Sequence, residues 1–232
     1  MTPPLSGRRH SIGLNGQVPP SRRGRRTSAA RVGRPPGSNR EETIARLVTA
    51  AQQHFGERGF SGARMVDIAS DAGVTHSSIY QYFSSKDDLY RASFEAAQAE
   101  LLPDYQAAVA TESTMRGRIG AIMRASAEIH KRHPSITPFL ASVPVELRRH
   151  PELVEGLRDL GEPILHAMNW IFDDARENGE ISGDLSNDDL LVAFIGSAMG
   201  IGLLSYGLQR DSMDAAVDII ELMMTAKLFR HE

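Results

Sequence analysis

An all-α fold is predicted for this 232-residue chain by three features of its sequence. Apolar residues recur at helical spacing, first as Ile44, Leu47, Val48, Ala51 and Phe55. From Ser85 onward the same period persists, punctuated by Gly or Pro near positions 103, 117, 134, 151, 179 and 207. No segment shows the apolar–polar alternation of a half-buried strand. With 41% hydrophobic residues the chain can bury a sizeable core.

The N-terminal stretch departs from this pattern. Residues 1–37 are rich in Gly, Pro, Ser and Arg without periodicity, and are expected to be a disordered basic arm. Residues 1–40 hold nine arginines and no acidic residue. The remaining 17 basic residues against all 29 acidic ones leave the rest of the chain at −12. Such an asymmetry points to attachment of a polyanion at one end. Within the arm, Gly33-Arg34-Pro35 partly matches the core of an AT-hook, making Arg34 a candidate minor-groove or phosphate contact. The absence of cysteine excludes disulfides and thiolate metal sites. No apolar signal segment opens the chain, so a cytoplasmic location is expected.

Ordered structure is expected from Ser38, where Ser38 with Glu41, or Asn39 with Glu42, has capping-box spacing. The first helix should end near Gly59. A short segment around Met65, Ile68 and Ala69 follows, then a break at Gly73. Ala69 and Ala72 are small enough for two helices to cross closely. Val74 supplies an apolar plug, Thr75 a cap, and Ile79 and Phe83 anchors for a second short helix. This leaves the hydroxyls of Thr75, Ser77 and Ser78, with His76 and Gln81, for an outer face.

Residues 60–90 read FSGARMVDIASDAGVTHSSIYQYFSSKDDLY. Phe60, Ile68, Ala69, Ala72, Gly73, Val74, Thr75, Ser78, Ile79, Tyr80, Tyr82, Phe83, Ser85 and Lys86 together resemble the DNA-binding signature of the TetR-type (tetracycline-repressor-like) bacterial regulators. The resemblance covers about residues 40–90. It implies a three-helix helix-turn-helix head over residues 38–84, followed by a helical ligand-binding and dimerisation domain over 85–232. Thr75, His76, Ser77, Ser78 and Gln81 would then face base edges or nearby phosphates, and Tyr80, Tyr82 and Lys86 would contact phosphate. Where the family usually has Ser or Thr before its second helix, this chain has Ala63-Arg64. The lost hydroxyl cap costs about 1 kcal/mol, while Arg64 offers a phosphate contact. The second helix carries no Lys or Arg, so its charge is expected from Lys86 and the arm.

The resemblance further implies a ligand cavity in the helical domain. Ile122, Met123, Phe139, Met168, Trp170 and Phe172 are the expected lining, suited to an apolar or aromatic small molecule. Residues 190–208 form a long uncharged run that could be read as a membrane span. Its flanks are acidic, and pairing with a second copy explains it better. Phe194, Gly196, Ala198, Gly200 and Leu203, with Val217, Ile220 and Met224 from the next segment, are the expected interface of a homodimer. His130 and His133 are read as solvated helix-end residues rather than metal ligands. No catalytic constellation stands out, and neither an enzymatic role nor a cofactor is expected. The function expected is a DNA-binding transcription regulator, a repressor released from a pseudo-palindromic operator by a small molecule. The alternatives are a nucleoid-type binder without sequence preference and an all-α ligand-binding protein or enzyme.

Overall fold

The computed structural model describes residues 36–208 and 213–225, which form nine helices and no strand among the described residues. They are α1 (Pro36–Gly62), α2 (Met65–Asp71), α3 (His76–Ile79), α4 (Lys86–Ala110), α5 (Met115–Arg132), α6 (Ile136–Arg149), α7 (Glu152–Glu177), α8 (Asn187–Leu208) and α9 (Met213–Met224). The basic arm through residue 35, and Arg34 with it, lies outside the described residues.

Helix α1 begins at Pro36, so the capping spacings at Ser38 and Asn39 fall inside its first turns rather than at its start. Proline suits a first helical position because the amide it lacks would be unpaired there. Asn39 is already helical, its carbonyl accepting from Thr43 Oγ1 at 2.6 Å. At the other end Gly59, with φ of +70°, kinks the helix where the sequence expected it to end, and helical turns continue to Gly62. Pro103, expected near a break, instead lies inside α4, whereas α5 starts at Met115, close to Gly117. Gly179, with φ of +72°, does follow the end of α7.

Two apolar cores hold the helices together. The first runs from Leu47 to Leu157 and takes residues from the head and from α4, α5, α6 and α7. Phe55, Phe60, Tyr90 and Phe139 meet at its centre, with Tyr90 placed edge-on to the other three at 4.8–5.3 Å. This packing crosses residues 84–85 without a gap. Burial, with Glu146 nearby, pushes the Tyr90 phenol well above its ordinary range. The second core gathers Met115, Ile119, Met123, Met168, Phe172 and Val217, among others. Ile164 packs against both.

The expected dimer interface divides between inside and outside. Val217 is 2% exposed, and Phe194, Ile220 and Met224 pack on the second core. Gly196 and Leu203 are exposed, with Ala198 and Gly200 partly so. The outer apolar residues are Val192 (74% exposed), Leu203, Leu204 (63%) and Leu208 on α8, with Ile219, Leu222 and Met223 on α9. Helix α9 is apolar on two faces, and the chain buries the one that the sequence assigned to a partner. Helix α8 is long and apolar enough to cross a membrane by length and composition alone.

Candidate nucleic-acid interface

Helices α2 and α3 are joined by a tight turn. Ile68 and Ala69 are fully buried under it, and Ala72 nearly so. Gly73 takes φ of +71°, a left-handed conformation that a side chain would strain. The turn closes through Gly73 N–H to the Ser70 carbonyl at 3.0 Å and Val74 N–H to the Ala69 carbonyl at 2.9 Å. Helix α1 is stapled to the end of α2 by the buried His54, whose Nε2 lies 2.7 Å from Asp71 Oδ2.

Thr75 caps α3, its Oγ1 accepting the Ser78 N–H at 3.2 Å. The same oxygen lies 2.7 Å from Ser78 Oγ and 3.1 Å from Ser77 Oγ, so three hydroxyls form one cluster. Ile79 and Phe83 turn into the first core. Thr75, His76, Ser77, Tyr80 and Gln81 are exposed, with Ser78 and Tyr82 half-buried. The structure therefore brings the expected base-facing residues together on one outer surface. His76 and Tyr80 pack edge-on at 5.4 Å, with Nε2 and the phenol oxygen 3.5 Å apart.

Two expected phosphate contacts are otherwise engaged. Lys86 Nζ donates to the carbonyls of Phe60 at 2.8 Å and Ala63 at 3.3 Å, and sits 4.5 Å above the Phe60 ring. In the first turn of α4 its charge opposes the helix dipole. The carbonyls of Phe60 and Ala63 offset this. Arg64 donates twice to Asp67, both bonds at 2.8 Å, and Arg58 adds a third at 3.1 Å. Chiefly through the Arg64 bond, the Asp67 carboxyl is held below its usual range. Arg64 takes the N-cap position before α2 without a side-chain cap bond. Ser85 caps α4 by accepting the Asp88 N–H at 3.0 Å, and Ser84 donates to the Asp88 carboxylate. The Ser84 bond is the main reason that the Asp88 carboxyl also lies below its usual range.

Sequence reasoning missed three residues around this surface. Arg40, counted there with the arm, lies in α1 with its guanidinium 5.1 Å over the Tyr82 ring. Glu146 and His150 reach the head from α6 and its C-terminal end. Glu146 Oε2 accepts the Phe60 N–H at 3.1 Å, and His150 Nε2 lies 2.8 Å from Ser61 Oγ. Separations of 86 and 89 residues leave no local signal.

The expected ligand lining does not form one site. Met123, Met168 and Phe172 pack in the second core with Ile122 at its edge, whereas Phe139 belongs to the first. Trp170 is 49% exposed, covered on one face by Arg118 at 4.6 Å, which is itself paired with Asp174. An open depression of about 460 Å³ lies on the outer side of α7, lined by Asp159, Glu162, Pro163, Leu165, His166 and Asn169. His130 and His133 have separate partners, Thr137 Oγ1 at 3.0 Å and Glu100 at 3.5 Å.

Residues 47–93 match the family described as "Bacterial regulatory proteins, tetR family". The HTH-type transcriptional activator FasR of Mycolicibacterium smegmatis is 35% identical over 99 residues, 40% of this chain and 45% of its own length. The chain spans less than half the length of the first curated relatives it matches. Two solved structures share the fold over most of the chain. A Rhodococcus TetR-family regulator superposes with a TM-score of 0.62 at 16% identity, covering 82% of this chain and 100% of its own. FadR from Bacillus subtilis, solved in complex with stearoyl-CoA, gives 0.60 at 16% identity, covering 76% and 96%.

Proposed function

We propose that this chain, TetR-type in its matched head and its fold, is a homodimeric transcription regulator released from a pseudo-palindromic operator by a small apolar molecule. The observation that carries this reading is the outer face of α3 and the turn after it. Thr75, His76, Ser77 and Gln81 stand exposed on an element that Ile79 and Phe83 fix from behind. An element so anchored presents polar groups at fixed positions, which direct readout in a major groove requires.

Dimerisation is supported by the uncovered apolar face of α8 and α9, where Val192, Leu204, Leu208 and Met223 stand among the most exposed apolar residues. Exposed acids flank it at Asp188, Asp189 and Asp214, which suits a water-facing margin better than a lipid one. The second core suits a ligand of apolar character, because Met115, Met123 and Met168 can repack around a guest. The acyl chain of the stearoyl-CoA named with FadR has the same apolar character. Release follows if the ligand binds the DNA-incompetent arrangement more tightly than the competent one.

The test is binding of the full chain to the region upstream of its own gene and to a shuffled duplex of equal length, at matched salt. Preference for the upstream duplex is expected. Equal affinity for both would favour the nucleoid-type alternative.

A further inference from the structure

We propose that Arg40, held against Tyr82, forms a phosphate site in the head: the guanidinium and the Tyr82 hydroxyl together grip the DNA backbone beside α3. The proposal rests on the DNA-binding reading above and names a cation that reading left unassigned.

Most of the head's positive charge is already engaged within the protein. Arg58 and Arg64 both donate to the Asp67 carboxylate. Lys86 is committed to two backbone carbonyls and the Phe60 ring. Arg91 lies 3.9 Å from Asp88. Helix α3 carries no Lys or Arg of its own. Arg46 donates to Thr43 Oγ1 at 3.3 Å, and six residues beyond Arg40 it points about 120° away around α1. Arg40 is exposed and lies over an aromatic ring instead of a carboxylate.

That placement is what a phosphate contact needs. Contact with the Tyr82 ring restrains a long side chain in advance, so less freedom is lost when an anion binds. A ring, unlike a carboxylate, does not neutralise the guanidinium, whose charge and N–H groups remain for phosphate oxygens. Tyr82 is itself half-buried and packed on the first core, so the platform is rigid. It sits three residues past Ile79, the last residue of α3, and so places this charge next to the polar face that would read bases. The site has no sequence preference of its own; it adds affinity and fixes the register of α3.

The test uses the full chain, with a random-sequence duplex and the upstream duplex titrated with NaCl. Arg40→Ala is expected to lower the slope of log K against log salt by about one per protomer on both duplexes. Arg40→Lys should keep the slope and lose affinity, since an ammonium neither stacks nor pairs in the same way. Tyr82→Phe should keep the slope and weaken binding equally on both duplexes. Arg64→Ala should leave the slope unchanged. An Arg40→Ala slope equal to that of the unaltered chain overturns the site, as does an Arg64→Ala loss as large as that of Arg40→Ala. If the unaltered chain binds neither duplex, the DNA-binding reading falls and the site falls with it. An unchanged melting temperature for Arg40→Ala, expected for an exposed side chain, separates a lost contact from a damaged fold.

Discussion

Glu146 accepts the Phe60 N–H at 3.1 Å, joining α6 to the kinked end of α1 across 86 residues of chain. The Phe60 carbonyl is held on its other side by Lys86. The two peptide groups flanking the Phe60 Cα are thus both held, just past the positive-φ Gly59. Replacing Glu146 by Ala strands a buried amide and should cost about 1–3 kcal/mol of stability. Glu146→Gln keeps an acceptor and should cost less. Urea denaturation midpoints decide this, and equal midpoints for Glu146→Ala and the unaltered chain would contradict it.

Lys86 tests the internal role assigned to it. Lys86→Met keeps the apolar stem against Phe60 and removes two charge-assisted bonds, so it should destabilise by about 1–3 kcal/mol. The salt slope of DNA binding should stay as it was. A lowered slope at unchanged stability would return Lys86 to the phosphate role.

The head was legible in the sequence because its determinants are local. Ile68, Ala69, Ala72, Gly73, Val74, Ile79 and Phe83 fall within a few turns of chain, and each behaves as its spacing implies. The joint to the body was not legible, because Glu146 and His150 meet the head only after the body folds back on it. The internal partners of Lys86 were not legible for the same reason: they lie 23 and 26 residues upstream. The inner and outer faces of α9 could not be told apart, since Val217 and Ile219 are both apolar and only packing against α5 and α8 chooses between them. Phe139 and Trp170 were likewise assigned to one pocket on character alone, and tertiary packing separates them.

That choice of face predicts two different failures. Leu204→Glu places a charge on the exposed surface and should yield a folded monomer by sedimentation. Val217→Glu buries an unpaired charge in the second core and should unfold the chain. The reverse pattern would mean that the two faces had been exchanged.

Gln81 stands exposed in the turn after α3. If it pairs with an adenine edge, Gln81→Ala should lose about 1–3 kcal/mol of discrimination at one base position of each half-site. Selection from a randomised operator library reads this out. Uniform weakening at every position would assign Gln81 to phosphate.

Burial lowers the His130 pKa from its ordinary 6.5. The unfolded chain therefore binds this proton at higher pH than the folded one. Stability is complete above about pH 6.5 and declines as pH falls from there toward the folded value. His130→Gln, which can still bond to Thr137, should flatten that decline relative to the unaltered chain in melts between pH 7 and 5 (roughly the range in which histidine titrates). Identical pH profiles would contradict the assignment.

In the proposed dimer, two α3 surfaces, set by the α8–α9 face, read one operator together. A salt-titrated footprint on the region upstream of the gene tests it most directly. Two protected half-sites are expected, with centres roughly 34 Å apart or a multiple of that spacing. Both should vanish together in the Leu204→Glu monomer. Uniform protection without half-sites, or a footprint that the monomer retains, would contradict it.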